Sequence, residues 1–454
     1  MATCRKARIA LSAGLIAFSA TLPAYKSWNP VVLNRWSLSW TLVIITTWIV
    51  TLLAIYWAAK PIKETQNTFG VKSLIVFALA LWSLTFVAEY WIRWRSADTE
   101  ASFRVPFGAV TVPGVLSEIV SIALLCTAAF ASIFRAASRL DNSTLRATLQ
   151  RASLLLGSLV FALVLLEAGF RVRNLVAPGP MGLPTPSGRI FKWRYYQRNS
   201  LGFRDEEPSR AKDEKTLRII CIGDSLTEAV GVRSEDERLT EVLERRLGRL
   251  IPEGEIQVVN AGIGDTHTVQ HTEWLPNLLK LKPNFVVLIY SFNDIEHASP
   301  PVRWDAMNPV KRTLLAMIVN NSHLGSELIA RLRNLGMLNY EPETSPYSND
   351  AVMKEHLVAL RSFFQLCEDK GVPAALAPFD HGVAQQEQFY VNRYDRFCRA
   401  VSNSGIELWR LDQCFKESDN KDFAVSSTDG HPNERAHRLV GEELAKRLLV
   451  RLKN

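Results

Sequence analysis

From Trp36 to Ala59 the chain runs without one charged residue, and a stretch of that length and character belongs in the hydrocarbon core of a bilayer. Such a core takes about 20 mostly apolar residues in one helix. Further uncharged runs occur at Ile9 to Tyr25, Ser73 to Ala88, Ile119 to Phe134 and Ala152 to Leu166. All five lie before residue 167 of a chain of 454 residues, so the apolar content is segregated rather than spread through one core. This part is therefore expected to be an all-α transmembrane bundle of about five helices over 1–172, with the remainder folding by itself in water.

The first run admits a second reading. Arg5, Lys6 and Arg8 before an apolar stretch also describe a signal peptide, although an uncleaved helix is preferred. With the N-terminus inside, the inner segments hold Arg5, Lys6, Arg8, Lys60, Lys63, Lys72, Arg135, Arg139, Arg146 and Arg151. The outer loops hold fewer: Lys26, Arg35, Arg93, Arg95 and Arg104. This asymmetry is the positive-inside pattern, and an odd number of spans delivers the C-terminal part outside the cytoplasm. The expectation is a multi-pass inner-membrane protein with an extracytoplasmic, periplasmic domain. Glu89, Glu118 and Glu167 then fall near the outer interface, either paired with Arg93, Arg95, Arg171 or Arg173, or forming a polar vestibule for a lipid-linked substrate.

Leu175 to Ser187 is rich in proline and glycine and reads as an extended linker within an extracytoplasmic lead-in over 173–213. Lys192, Trp193, Arg194, Tyr195 and Tyr196 interleave charge and rings, as a headgroup contact or a packed lead-in strand would. Over 214–454, strand-like and helix-like runs alternate. Ile256 to Val259, Phe285 to Tyr290, Val372 to Pro378 and Ile406 to Leu411 read as strands. Leu239 to Leu250, Trp274 to Leu281, Ala351 to Lys370, Tyr390 to Ser402 and Glu434 to Leu452 read as helices. That rhythm predicts an α/β fold, a three-layer sandwich around a parallel sheet. The region 300–350, flanked by prolines, interrupts the rhythm and is expected to be an insertion or lid.

The chemistry centres on Arg218 to Thr227, a β-branched run ending in Gly223-Asp224-Ser225-Leu226. A buried strand that stops there presents Ser225 on the turn at its carboxyl end, where parallel sheets place their ligands. A serine needs a base, an orienting acid and oxyanion donors. Candidates follow strand-like runs in order: Asn260-Ala261-Gly262-Ile263-Gly264, then Ser291-Phe292-Asn293-Asp294, and finally Asp429-Gly430-His431 before the last helical run.

This order of blocks, with the lead-in Asn199-Ser200-Leu201-Gly202-Phe203-Arg204-Asp205, resembles the GDSL or SGNH hydrolase family from about Leu217 onward. The resemblance implies a flavodoxin-like α/β/α domain and a serine esterase. Ser225 would attack an ester carbonyl, His431 would act as base and Asp429 would hold the His431 tautomer. The oxyanion hole would combine the Ser225 amide, a second-block amide, for which Gly264 is chosen, and the Asn293 side chain. Three positions depart from the family pattern. The acid usually stands three residues before the histidine, where this chain has Thr428; Asp265 replaces a common glycine; Ser291 replaces another.

The net charge of +8 invites a nucleic-acid reading, but much of the excess lies in membrane-proximal loops and no nucleic-acid motif accompanies it. His267 and His271 sit one helical turn apart without a third ligand of convincing spacing, so no metal is expected, nor any organic cofactor. Cys398 with Cys414 is the candidate disulfide. The expected partners are the lipid bilayer and an ester-bearing glycan or lipid of the cell envelope. Acyl transfer by the same triad, and glycan binding by a degenerate site, remain open beside hydrolysis.

Overall fold

A computed structural model describes residues 112–179, 185–208, 213, 215–252, 254–298, 318–319, 322–335, 346–382, 388–416, 418, 422–426 and 429–453, together with 31–32, 36–37 and 78. It divides into two compact units. One comprises Met1–Pro178, Pro184–Trp193 and Met317–Glu327; the other comprises Gly179–Leu183, Arg194–Ala316 and Leu328–Asn454.

In the first unit, helices α1 (Val112–Ala137) and α2 (Ser143–Val176) lie on either side of a short turn. Asn142 starts α2, its side-chain oxygen accepting from the Leu145 amide at 3.0 Å. Val112–Phe134 and Ser143–Val176 are long and apolar enough to cross a membrane. Leu154, Leu155, Leu156, Leu159 and Phe161 of α2 all face outward. Charge gathers at one end of the pair, where Arg171 bridges Glu118 and Glu167, the second at 2.8 Å. Both Glu167 oxygens also receive donors from the start of helix α6 (His323–Asn334): Ser322 Oγ at 2.8 Å, the His323 amide at 3.0 Å and the Leu324 amide at 2.8 Å. The acidic residues expected at this interface are thus ion-paired, while Glu89, Arg93 and Arg95 lie outside the described residues.

The second unit is built on a parallel sheet of order β4-β3-β5-β6, formed by β3 (Thr216–Gly223), β4 (Glu255–Gly262), β5 (Phe285–Tyr290) and β6 (Ala374–Pro378). Strands covered on both faces carry continuous rather than alternating apolar runs. All six residues of β5 are accordingly buried. Helices α4 (Leu239–Leu250) and α5 (Thr268–Leu279) connect these strands in opposite directions across β3, so right-handed crossovers put them on opposite faces. Helix α7 (Asp350–Glu368) packs on α5, and α10 (Glu434–Lys453), which follows α8 (Gln388–Ser402) and α9 (Asp412–Lys416), packs on α4, completing three layers. In register, Gly223 stands opposite Gly262 and Ile289, and Ile289 opposite Ala377. The strands therefore end level, and the loops beyond them share one rim where the strand order reverses.

Several local expectations are corrected. Ile406 to Leu411 contributes only one parallel bridge, Leu376 to Leu408, instead of a strand. The basic and aromatic lead-in is helical as far as Tyr195, in α3 (Pro186–Tyr195), where Ile190 packs on Val115 and Leu175. Proline at the start of α3 costs the helix no hydrogen bond, so the proline-rich sequence initiates a helix as readily as it extends a linker. Leu175 and Val176 still belong to α2. Trp36 and Ser37, placed at the head of the second expected span, form β2 (Trp36–Ser37), antiparallel to β1 (Val31–Val32); the rest of that run lies outside the described residues. So do the first and third runs, apart from Ala78. Cys398 and Cys414 are free thiols, and Cys414 Sγ donates to the Leu411 carbonyl at 2.9 Å.

Candidate active site

Ser225 stands on the turn beyond β3. Asp224 shapes that turn: its Oδ1 accepts from the Leu226 amide at 2.9 Å, and its carbonyl accepts from the amides of Thr227 at 3.1 Å and Glu228 at 2.9 Å. Burial pushes the Asp224 carboxyl up, opposed by hydrogen bonds from Leu226, Asn293 and Ser291 and by the nearby His431. Asn293 and His431 thus both act on the residue next to Ser225. Among the described residues, the Ser225 hydroxyl donates to Asp224 Oδ2 at 3.3 Å and not to His431.

Asp429 and His431 lie on the short strand β8 (Asp429–Pro432), paired antiparallel with β7 (Ala424–Ser426). Residues i and i+2 of a strand point to the same side. The shortened Asp-x-His spacing is therefore accommodated by extended backbone, and His431 Nδ1 lies 2.6 Å from Asp429 Oδ1. Since a carboxylate only accepts, Nδ1 is the donor of this pair. Asp429 is 2% exposed, which strengthens the pairing.

The candidate oxyanion donors divide. Asn293 reaches Asp224 and so stands beside Ser225. The Gly264 amide, chosen as the second-block donor, instead donates to Glu228 Oε2 at 2.8 Å and is already occupied. Gly262 is required where it stands, because a Cβ there would come within 2.1 Å of the Glu228 amide nitrogen. Asp265 has φ 65, the left-handed conformation that a glycine at this position would supply without strain. Aspartate is among the side chains that tolerate it best, which explains that departure.

The lead-in takes a larger part than its sequence suggested. Arg204 is wholly buried and donates to the carbonyls of Ala229 and Val232, each at 2.8 Å, while Tyr196 covers its guanidinium at 3.9 Å. Arg198 pairs with Glu228, and Asp205 Oδ2 accepts the Asn260 amide at 2.9 Å. The turn that carries Ser225 and the end of β4 are both held by residues 198–205. The two lead-in arginines lay within or beside a quoted motif, and Glu228 directly follows Thr227, but composition gave none of them a role. On the opposite side, His381 hydrogen-bonds the Gly430 backbone, and Arg393 pairs with Asp380 and lies over Phe292 at 4.5 Å.

The His267 amide donates to Gln270 Oε1 at 3.2 Å, and His271 Nε2 lies 3.1 Å from Thr266 Oγ1. Burial holds His271 at about 3, so it is neutral. Among the described residues no group of three or more metal-ligating side chains is assembled.

Residues 221–439 match the GDSL-like lipase/acylhydrolase family. No curated protein matches the chain. Among solved structures, a psychrotrophic esterase from Pseudoalteromonas sp. is similar at 16% identity over 52% of this chain and 99% of its own, with a TM-score of 0.33. A lipase/acylhydrolase from Enterococcus faecalis shares 17% identity over 52% and 96%, with a TM-score of 0.31. An acetylxylan esterase from Geobacillus stearothermophilus shares 14% over 51% and 94%, with a TM-score of 0.34.

Proposed function

We propose that this chain, whose residues 221–439 belong to the GDSL-like lipase/acylhydrolase family and hydrolyse ester bonds, is a membrane-anchored serine esterase. Its substrate is an acyl ester, such as acetyl, on a cell-envelope glycan or lipid. The observation that carries the triad is the His431 to Asp429 pair beside the nucleophile turn. The triad requires the Ser225 hydroxyl to turn from Asp224 to His431 in the reactive complex, and triad contacts are often loose before substrate binds.

Ser225 Oγ attacks the ester carbonyl while His431 Nε2 takes its proton, and Asp429 stabilises the imidazolium. The Ser225 amide and the Asn293 side chain receive the developing oxyanion. Collapse expels the alcohol, protonated by His431, and water repeats the sequence on the acyl-enzyme. The anchor is supported by α1 and α2, and by the outward leucines of α2, which water would not tolerate as so large an apolar face. A multi-pass topology in the inner membrane with a periplasmic domain agrees with the basic residues of the loops.

Full-length protein in detergent, assayed on p-nitrophenyl esters from acetyl to long acyl, tests this directly. Ser225→Ala and His431→Ala should each lose up to about 10⁶ in kcat. Equal rates in wild type and both variants would end the triad assignment, and product appearing on an added sugar acceptor instead of as free acid would replace hydrolysis by transfer.

A further inference from the structure

The occupied Gly264 amide has a definite partner. Glu228 is 0% exposed and lies three residues beyond Ser225. One of its oxygens accepts from the Gly264 amide at 2.8 Å and the other is paired with Arg198. Arg198 in turn donates to the Gly202 carbonyl at 2.6 Å. The turn bearing Gly202 is closed by Asn199 Oδ1, which accepts from the amides of Leu201 and Phe203, both at 3.1 Å. A continuous chain of polar contacts thus runs from the lead-in turn through Arg198 and Glu228 to the second loop.

Three details make this chain bear on Ser225. A Cβ placed on Gly264 would stand 2.6 Å from Glu228 Oε2 and 3.6 Å from Ser225 Cβ, so the loop lies against the nucleophile. The residues next to both contact points, Ala229 with φ 59 and Asp265 with φ 65, hold left-handed backbone. Such conformations persist only where the surroundings over-determine them. A buried carboxylate is tolerated only when its oxygens are satisfied by strong donors, and here a guanidinium and a peptide amide fill that need.

We propose that Glu228, oriented by Arg198, is a positioning residue for the reaction: its carboxylate fixes the Gly264 loop against Ser225 and leaves the oxyanion to the Ser225 amide and Asn293. This rests on the serine-esterase reading. The converse arrangement, in which Glu228 merely occludes a donor, makes the opposite prediction for its removal.

The test uses full-length protein in detergent with p-nitrophenyl acetate, comparing wild type, Ser225→Ala, Glu228→Ala, Glu228→Gln and Arg198→Ala. Glu228→Ala should lower kcat by about 10–100-fold, the scale of a small misplacement at a reacting centre, with KM within about 2-fold. Inactivation by a serine-directed phosphonate should slow in parallel. Glu228→Gln keeps an acceptor for the Gly264 amide and should recover most of the rate, while Arg198→Ala should show part of the loss. Wild-type or higher kcat in Glu228→Ala overturns the proposal in favour of a structural or occluding role. Where Glu228→Ala fails to fold, unchanged kcat in both Glu228→Gln and Arg198→Ala overturns it equally. A wild type no faster than Ser225→Ala instead brings down the esterase reading itself.

Discussion

Strand β5 and helix α2 are both dominated by apolar side chains, yet they place them oppositely. Every residue of β5 is buried inside the protein, whereas only 6% of the most apolar window of α2 is. Hydrophobic side chains leave water in either case, but β5 finds its apolar surroundings in other parts of this chain and α2 must find them elsewhere. The charged residues follow the same division. In the sheet unit, the buried Arg204 donates to backbone carbonyls of the turn that carries Ser225; in the helical unit, Arg171 pairs with two glutamates near the end of α2.

The sharpest way to break this contrast is to place a charge in each region. Val287→Asp should abolish folding, a loss above about 4 kcal/mol, because an unpaired charge in β5 has no route to water. Leu159→Asp should cost about 2.5–3.5 kcal/mol of insertion if α2 spans a bilayer, releasing protein on alkaline extraction of membranes. Unchanged retention on alkaline extraction would instead place Leu159 outside the hydrocarbon core. Next in size, Arg171→Ala removes the guanidinium shared by Glu118 and Glu167 and should destabilise the helical unit by about 3 kcal/mol in a detergent melt.

A pH series sharpens the comparison on the sheet side. Burial holds His271, His356 and His437 at about 3, far below the ordinary histidine value of about 6.5. A depressed histidine contributes stability that is full above the unfolded value and is lost as pH falls toward the folded one. Asp205, raised to about 7 chiefly by burial, has the opposite sign, losing stability as pH rises from about 4 to 7. His267 and His381 are lowered and Asp224 and Glu244 raised in the same way, so the histidines outnumber the carboxyls and stability should fall on acidification near pH 5, read from urea midpoints. A flat profile would mean that these rings reach water. The smallest effect is expected from Asp265→Gly, which should relieve left-handed strain and raise stability by about 1 kcal/mol in the same titration.

Much of the sheet unit was legible because its signals are local. Leu239–Leu250 and Phe285–Tyr290 are bounded as their periodicity and composition predict, since an amphipathic helix and a doubly covered strand declare themselves over their own length. Ile406 to Leu411 failed for lack of a partner along its length, which strand composition cannot report. In the site, Ser225, His431 and Asp429 were marked by motif, and Asn293 by its place after β5. Glu228 was not, because its role depends on Arg198 and Gly264, 30 and 36 residues away in sequence.

The chain alone determined where apolar residues must leave water, which strands end in polar loops, and which side chains are candidates for nucleophile, base and acid, for these are properties of composition and spacing. Tertiary structure decided which donors remain free. It paired Asp429 with His431 through an extended backbone, engaged the Gly264 amide with a buried carboxylate and gave Asp265 a conformation suited to glycine. Hydrogen bonds of this kind form between groups brought level by sheet register, and register is a relation between distant segments that no single stretch contains.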